Sequence, residues 1–296
     1  MQPYSIDIVI PWVNSDDPTW RANFNYWKRK ETGNKDACRF RDWGTIRFVL
    51  RSIDSHCPWC RNVYLVLSNK SQIPSWLNLD NPSLKLVFHD EFIPKQFLPT
   101  FNSDVIEMFF PFIKGLSENF ISCNDDMFFC QTMPANFYFN DGIPVSYKRI
   151  DTINTPRYNF ENILLNNVQF INELTGSVGN YFYHPLHLPV PYVKSLQLFI
   201  HSKRNHDIYK ALHGKFRTND DISHWLYYDI QCRLGLVKFI TDNRGTSYGN
   251  TGELTPINFN QPMICLNEGE NSTYMTMKYY IVQLFKHFPE KSRFER

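Results

Sequence analysis

Ser5-Ile-Asp-Ile-Val-Ile-Pro-Trp-Val13, followed at once by Asn14-Ser-Asp-Asp-Pro18, decides how the rest of this chain is read. The run is β-branched and apolar and is closed by polar turn residues, the pattern of a buried strand that ends in a polar loop. Such a strand at the start of a chain suits an α/β sheet, whose ligands bind beyond the carboxyl ends of the strands. Working outward, Asp42 to His56 has helical spacing, with Ile46, Val49, Leu50 and Ile53 in an apolar stripe and Arg47, Arg51 and Asp54 off it. Residues 62–67 and 84–89 are two more short apolar strands, separated by the turn chemistry of Ile73-Pro-Ser-Trp-Leu77 and Asp80-Asn-Pro82. Strand, helix, strand in this order predicts a βαβ unit and a parallel sheet. Ser103 to Asn119 reads as a helix broken at Pro111, and Phe120-Ile-Ser-Cys123 as a strand running into Asn124-Asp125-Asp126. Past Asn140-Asp-Gly-Ile-Pro144 the pattern changes. Segments 158–175, 195–213, 219–234 and 272–287 read as helices, and 240–262, rich in Gly, Asn, Thr and Pro, as a long loop. The expectation is an α/β half over 1–140, carrying a Rossmann-like sheet, and a mostly helical half over 141–296 that completes one domain.

Composition narrows the classes. With 296 residues, 43% of them hydrophobic, the chain has enough apolar material for a sizeable core and is not a disordered chain. A formal net charge of +2 argues against bulk nucleic-acid binding, which needs a basic face to displace counterions. The 25 Phe, 16 Tyr and 7 Trp read as core, with sugar-stacking surfaces as the sharper alternative. No stretch approaches the roughly 18 apolar residues of a membrane span. Asp7 interrupts the first ten residues, which lack the basic start and long apolar run of a secretory signal. Seven cysteines, an odd number, read as reduced thiols of a cytoplasmic protein. Cys57-Pro-Trp-Cys60 follows a helix rather than opening one, so the thiolate-stabilising dipole is on the wrong side; no second CxxC follows, and the pair reads as structural.

Four places carry possible chemistry. Asp125 and Asp126, adjacent carboxylates at a strand end, are costly unless neutralised, and a hard divalent cation with substrate phosphates would neutralise them; a turn or helix cap is the plainer alternative. The loop Asn14-Ser-Asp-Asp-Pro-Thr-Trp20 is either an Asp-capped turn or a base and ribose pocket. Neither GxGxxG nor GxxxxGK[ST] occurs, so neither a dinucleotide fingerprint nor a P-loop is present. His187-Leu-Pro-Val-Pro191 mounts a histidine in a stiff loop, suited to a general base, with a plain surface or core-edge role as the alternative; His184 lacks the further ligands a zinc pair would need. In Lys215-Phe-Arg217-Thr-Asn-Asp-Asp221, Thr218 or Asn219 can cap a helix and Asp220 and Asp221 suit its positive end, while Arg217 is equipped to grip phosphate.

Taken together, the chain resembles the Stealth family of sugar-phosphate transferases, which contains bacterial capsular polysaccharide phosphotransferases and the catalytic subunit of the lysosomal-enzyme N-acetylglucosamine-1-phosphotransferase. Ile6 to Asn14 looks like its first block. Phe40-Arg-Asp42, residues 46–53, Pro58-Trp59, residues 73–77, Leu98 to Ser103, Ile106-Glu107, Gly115 to Ser117 and Phe120 to Phe129 look like its second. His187-x-Pro189 with Phe216-Arg217-x-x-Asp220-Asp221 resembles the third. Ile264 to Asn267 with Ser292-x-Phe294-Glu295 resembles the fourth. Asp104-Val105 stand where the family commonly has His-Ala, and Met108 to Ile113 replaces a polar stretch, both on the expected acceptor side. The resemblance implies a glycosyltransferase-A-like nucleotide-sugar sheet and transfer of a hexose-1-phosphate from a UDP-sugar to a hydroxyl of a glycan, with release of UMP, in capsule or cell-surface polysaccharide synthesis. It implies that Trp12, Val13, Asn14, Asp16 and Asp17 hold the uridine, that Arg41, Arg47 and Arg217 neutralise phosphate, and that Asp125, Asp126 and Asn267 bind Mg²⁺ or Mn²⁺. His187 is then the general base, with an aspartate such as Asp125 as competitor. The rival is a metal-dependent glycosyltransferase that attacks carbon and releases UDP; a non-enzymatic carbohydrate-binding module is the rival of another class. A basic, aromatic stretch (Lys278, Tyr279, Tyr280, Lys286, His287, Lys291, Arg293) is either a solvated helix face or a contact to the inner face of a membrane carrying a lipid-linked acceptor.

Overall fold

The structure is a computed structural model that describes residues 4–157, 159–242, 244–249, 254–269 and 272–296. In chain order come β1 (Ile6–Pro11), α1 (Pro18–Lys28), α2 (Thr45–His56), β2 (Cys60–Leu67), β3 (Leu84–Phe88), α3 (His89–Phe92), α4 (Ser103–Met108), β4 (Asn119–Ser122) and β5 (Met127–Phe129). Then come β6 (Phe139–Asn140), β7 (Ile143–Tyr147), β8 (Ile150–Thr152), α5 (Asn159–Thr175), β9 (Tyr181–Tyr183), β10 (Val190–Val193), α6 (Lys194–Ala211), α7 (Trp225–Arg233), β11 (Lys238–Ile240), β12 (Gly245–Gly249), β13 (Met263–Asn267) and α8 (Tyr274–His287).

The main sheet has the order β10-β4-β1-β2-β3. β1 runs parallel to β2 and β4, β2 parallel to β3, and only β10 antiparallel. Period-2 alternation explains how β1 serves two layers: Ile6, Ile8 and Ile10 join one core cluster and Val9 the other. The predicted stripe of α2 (Ile46, Val49, Leu50, Ile53) is at most 1% exposed and packs on that first cluster. Asp7, a charge inside β1, is held by the Arg61 guanidinium and by the backbone N–H groups of Asn62 and Ser117, so its burial leaves no carboxylate oxygen unpaired.

Arg51, read as lying off the apolar stripe, is buried and donates to both carboxylate oxygens of Glu295 (2.8 and 2.9 Å) and to the carbonyl of Phe288 (2.8 Å). The second half is not mostly helical: strands β7 to β13 lie in it, β10 completes the main sheet, and β13 pairs with β5. These strands are three to five residues long, too short to show a period. One of them, β12, sits inside the stretch read as a long loop, part of which (243 and 250–253) lies outside the described residues. Ahead of the helix, which begins only at Trp225 and not at the expected 219, stands Asp221. It is fully buried, and its carboxylate accepts from Asn102 Nδ2, Thr218 N and Thr218 Oγ1. The Ser103 helix ends at Met108, before Pro111.

Candidate active site

The chain winds outward from β1 to β3 and returns to β4 on the other side of β1. Connections therefore leave the carboxyl ends of β1 and β4 in opposite directions, which opens a crevice between them. A cleft of about 750 Å³ lies there. Trp12 and Val13 follow β1 into it, and Asn124, Asp125 and Asp126 follow β4. The turn before α2 adds Arg39, Arg41 and Trp43, and α4 adds Ser103, Asp104 and Glu107. The second half supplies His184, His187, Arg217, His224, Trp225, Asn267 and Glu268.

Local chemistry explains these placements. Asn102 caps α4 by accepting from Asp104 N (3.0 Å), and its amide nitrogen donates to Asp221 (2.6 Å), which binds the α4 start to the Arg217 loop. Leu266 N donates to the Asp126 carbonyl (2.9 Å), so β13 brings Asn267 and Glu268 beside the paired aspartates. Gly33 lies against Phe216 and Arg217 at a φ of +113°, where a Cβ would come within 2.8 Å of the Arg217 carbonyl oxygen.

The electrostatics of the cleft are dominated by closely spaced, partly desolvated carboxylates. Asp125 and Asp126 are half-buried. Burial first and the neighbouring Asp126 charge second push Asp125 well above the ordinary carboxylate range. Burial also raises Asp126, against the opposing pull of His187. Asp126 Oδ1 is buried with no hydrogen-bond partner among the described residues. Asp104, 1% exposed, is raised to about 7 by burial, even though Arg217 Nε lies 2.7 Å from its Oδ2. Glu107 goes the other way. Burial, the largest influence, would raise it, but His224, whose Nδ1 is 2.6 Å away, together with the Arg217 and His187 charges lowers it. Glu268, raised by burial, accepts from Trp43 Nε1 (2.7 Å) and pairs with Arg41 (2.5 Å). His184 Nδ1 pairs with Asp151 (2.5 Å); burial lowers its pKa, which the Asp151 hydrogen bond partly opposes. His187 Nδ1 has instead the Cys265 thiol, 3.7 Å away.

Asp125, Asp126, His187, Arg217, Trp12, Val13, Arg41 and Asn267 thus line one cleft. Four residues expected with them do not. Asp17 caps α1 by accepting from Trp20 N (2.7 Å), Asn14 accepts from Asp16 N and exchanges hydrogen bonds with Gln72, and Asp16 pairs with Arg21. The 14–17 stretch is the Asp-capped turn, and its side chains serve the turn. Arg47 lies beyond the cleft lining, 3.6 Å from Glu295 and over the Trp76 ring, because it projects from the α2 surface that faces the chain's C-terminal residues. The sequence reading passed over Arg39, Asp104 and the Glu107–His224 and Asp151–His184 pairs as site groups. Arg39 and Arg41 flanking Phe40 ahead of a helix was the available signal for the first; the carboxylate–histidine pairs join residues far apart in the chain and left none. Cys57 and Cys60 are buried thiols pushed up by burial, Cys60 to about 12, as structural cysteines are.

Comparison with known proteins gives the class. Residues 39–145 match the family model described as "Stealth protein CR2, conserved region 2". A capsular polysaccharide phosphotransferase, WcwK, of Streptococcus pneumoniae is 30% identical over 329 aligned positions covering 99% of both chains. The exopolysaccharide phosphotransferase cps2G of Lactiplantibacillus plantarum is 29% identical, covering 99% of this chain and 97% of that one. Among solved structures, apo mouse xyloside xylosyltransferase 1 aligns with 99% of this chain and 96% of its own at 9% identity, and its TM-score of 0.37 is too low to bear on the fold. The chain belongs to the Stealth family of bacterial capsular polysaccharide phosphotransferases, and it is a transferase of phosphate-containing groups.

Proposed function

We propose that this protein transfers a hexose-1-phosphate from a UDP-sugar to a hydroxyl of a glycan acceptor in capsule or exopolysaccharide synthesis. The observation that carries the reading is the convergence of Asp125, Asp126, His187 and Arg217, drawn from both halves of the chain, on one cleft at the carboxyl ends of β1 and β4. In that reading Trp12 and Val13 border the uridine, and the sheet holds the nucleotide as a glycosyltransferase-A-like sheet does. The unpartnered Asp126 oxygen and the two repelling carboxylates fit a divalent cation, Mg²⁺ or Mn²⁺, held by Asp125 and Asp126 with Asn267 beside them. Among the described residues no three His, Cys, Asp or Glu side chains form a metal-holding set, so oxygens of the substrate would complete the shell, as is usual for Mg²⁺. When bound, the cation supplies charge neutralisation on the diphosphate.

The chain's own groups account for the transfer. The acceptor hydroxyl oxygen forms a bond to the sugar-bearing phosphorus, and the bond from that phosphorus to the oxygen of UMP breaks. His187 takes the hydroxyl proton on Nε2, which has no hydrogen-bond partner among the described residues, with Nδ1 turned to Cys265. Arg217, fixed by Asp104, presents positive charge where the phosphoryl oxygens gather it. No described helix is long and apolar enough to cross a membrane. Seven unpaired cysteines suit a cytoplasmic site of action, at the inner membrane face where a lipid-linked acceptor would be met.

The test is product analysis with a panel of UDP-sugars and an oligosaccharide acceptor. UMP and a phosphodiester are expected, EDTA should abolish turnover, and His187→Ala should reduce kcat by about 10²- to 10⁴-fold. UDP with a glycosidic product would establish the glycosyltransferase instead.

A further inference from the structure

Three of the four arginines in and near the cleft are already committed. Arg41 pairs with Glu268, Arg47 lies outside with Glu295, and Arg217 is held by Asp104 through two of its nitrogens. Arg39 differs. It lines the cleft, and among the described residues its guanidinium enters no salt bridge, no hydrogen bond and no contact with a ring. A guanidinium carries five N–H donors in a planar fork that fits phosphate oxygens two at a time. We propose that Arg39 is the residue that grips the diphosphate of the donor, working as a pair with Arg217.

The mounting of the two arginines supports this. Phe40, next to Arg39, and Phe216, next to Arg217, are buried in one aromatic nucleus with Trp20, Phe24 and Phe101. Ring centroids stand 5.0 Å apart for Phe24–Phe40 and 5.5 Å for Phe24–Phe216. The backbone N–H of Asn34 donates to the Arg217 carbonyl (2.7 Å), joining the loop that leads to Arg39 to the loop that carries Arg217. The backbones that carry the two cations are thus anchored to one packed nucleus, close enough for the Arg217 charge to act on Arg39. Desolvation first, then the Arg217 charge, lowers the pKa of Arg39, although much of the side chain remains exposed. Asp104 also acts on Arg39, but that carboxylate is hydrogen-bonded to Arg217. An anion placed between the two guanidinium groups relieves the repulsion, and a diphosphate supplies the negative charge and the several acceptor oxygens that two forks require.

The inference rests on the proposed donor class, and its test keeps the two apart. Isothermal titration of the full chain with Mg²⁺ present, at fixed ionic strength, uses UDP and inorganic pyrophosphate as probes. Arg39→Ala should raise the Kd for both by about 10- to 100-fold, the range expected for losing charge-assisted hydrogen bonds, with Arg39→Lys in between. Its thermal midpoint should stay at the wild-type value, since the side chain supports nothing else. Wild type and Arg39→Ala binding UDP within twofold of each other overturns the inference and leaves the donor reading intact. Wild type that binds pyrophosphate through Arg39 but ignores UDP retires the uridine donor and keeps the role of Arg39.

Discussion

Asp104→Asn is the most direct probe of the charge balance in the cleft. Asp104 is 1% exposed, and burial lifts its carboxyl from the usual 3.8 to about 7, with Arg217 only partly compensating. That is a shift of about 3 units, and at about 1.4 kcal/mol per unit it corresponds to about 4 kcal/mol. The native state holds a proton that the unfolded chain releases near pH 4. The favourable contribution is therefore complete at low pH and is lost as the pH rises from about 4 to about 7. Asparagine is neutral throughout and feels none of this. The stability of the variant relative to wild type, measured by urea unfolding at a series of pH values, should climb by about 4 kcal/mol between about pH 4 and pH 8. A difference that stays flat, or that falls as pH rises, would refute the reasoning, because it would mean that Arg217 holds Asp104 ionised at no net cost.

Two further outcomes follow from the packing around the site. Gly33→Ala places a Cβ within 2.8 Å of both the Arg217 carbonyl oxygen and Phe216 Cβ, at a φ of +113°. It should cost about 1–3 kcal/mol and, by displacing the Arg39 and Arg217 loops, lower kcat/KM as well; thermal melts and turnover check both, and a variant native in both respects would show that the loops do not move together. Arg51→Ala strands the Glu295 carboxylate, which is 3% exposed at its side chain, and should cost about 3–5 kcal/mol in chemical denaturation; a loss below about 1 kcal/mol would show that Glu295 finds other partners.

The sequence is most legible where the physics is local. Continuous apolar runs closed by turn residues mark β1 and β2, and the 3.6-residue stripe of α2 is visible because its whole apolar face meets one layer of core. The short strands of the second half were not legible, because a segment of three to five residues gains its identity from the partner it pairs with: β10 is a strand because β4 is there, and β13 because β5 is. Arg51 looked like a surface charge because its partner Glu295 lies 244 residues further on.

The site divides in the same way. The order of residues along the chain sufficed to single out Asp125, Asp126, His187 and Arg217 as candidates, which the fold brings to one cleft, and to show the family resemblance, since those depend on residue type and local pattern. Which arginine is spent and which is available was decided only by folding. Arg41, Arg47 and Arg217 each meet a carboxylate from a distant segment, and Arg39 meets none among the described residues. Folding likewise made the polar loop after β1 a capped turn, because Asp17 satisfies the start of α1 and Asn14 is bound to Gln72. A charge's function depends on the nearest opposite charge and on the water left around it, and both are properties of three-dimensional proximity that no one-dimensional spacing records.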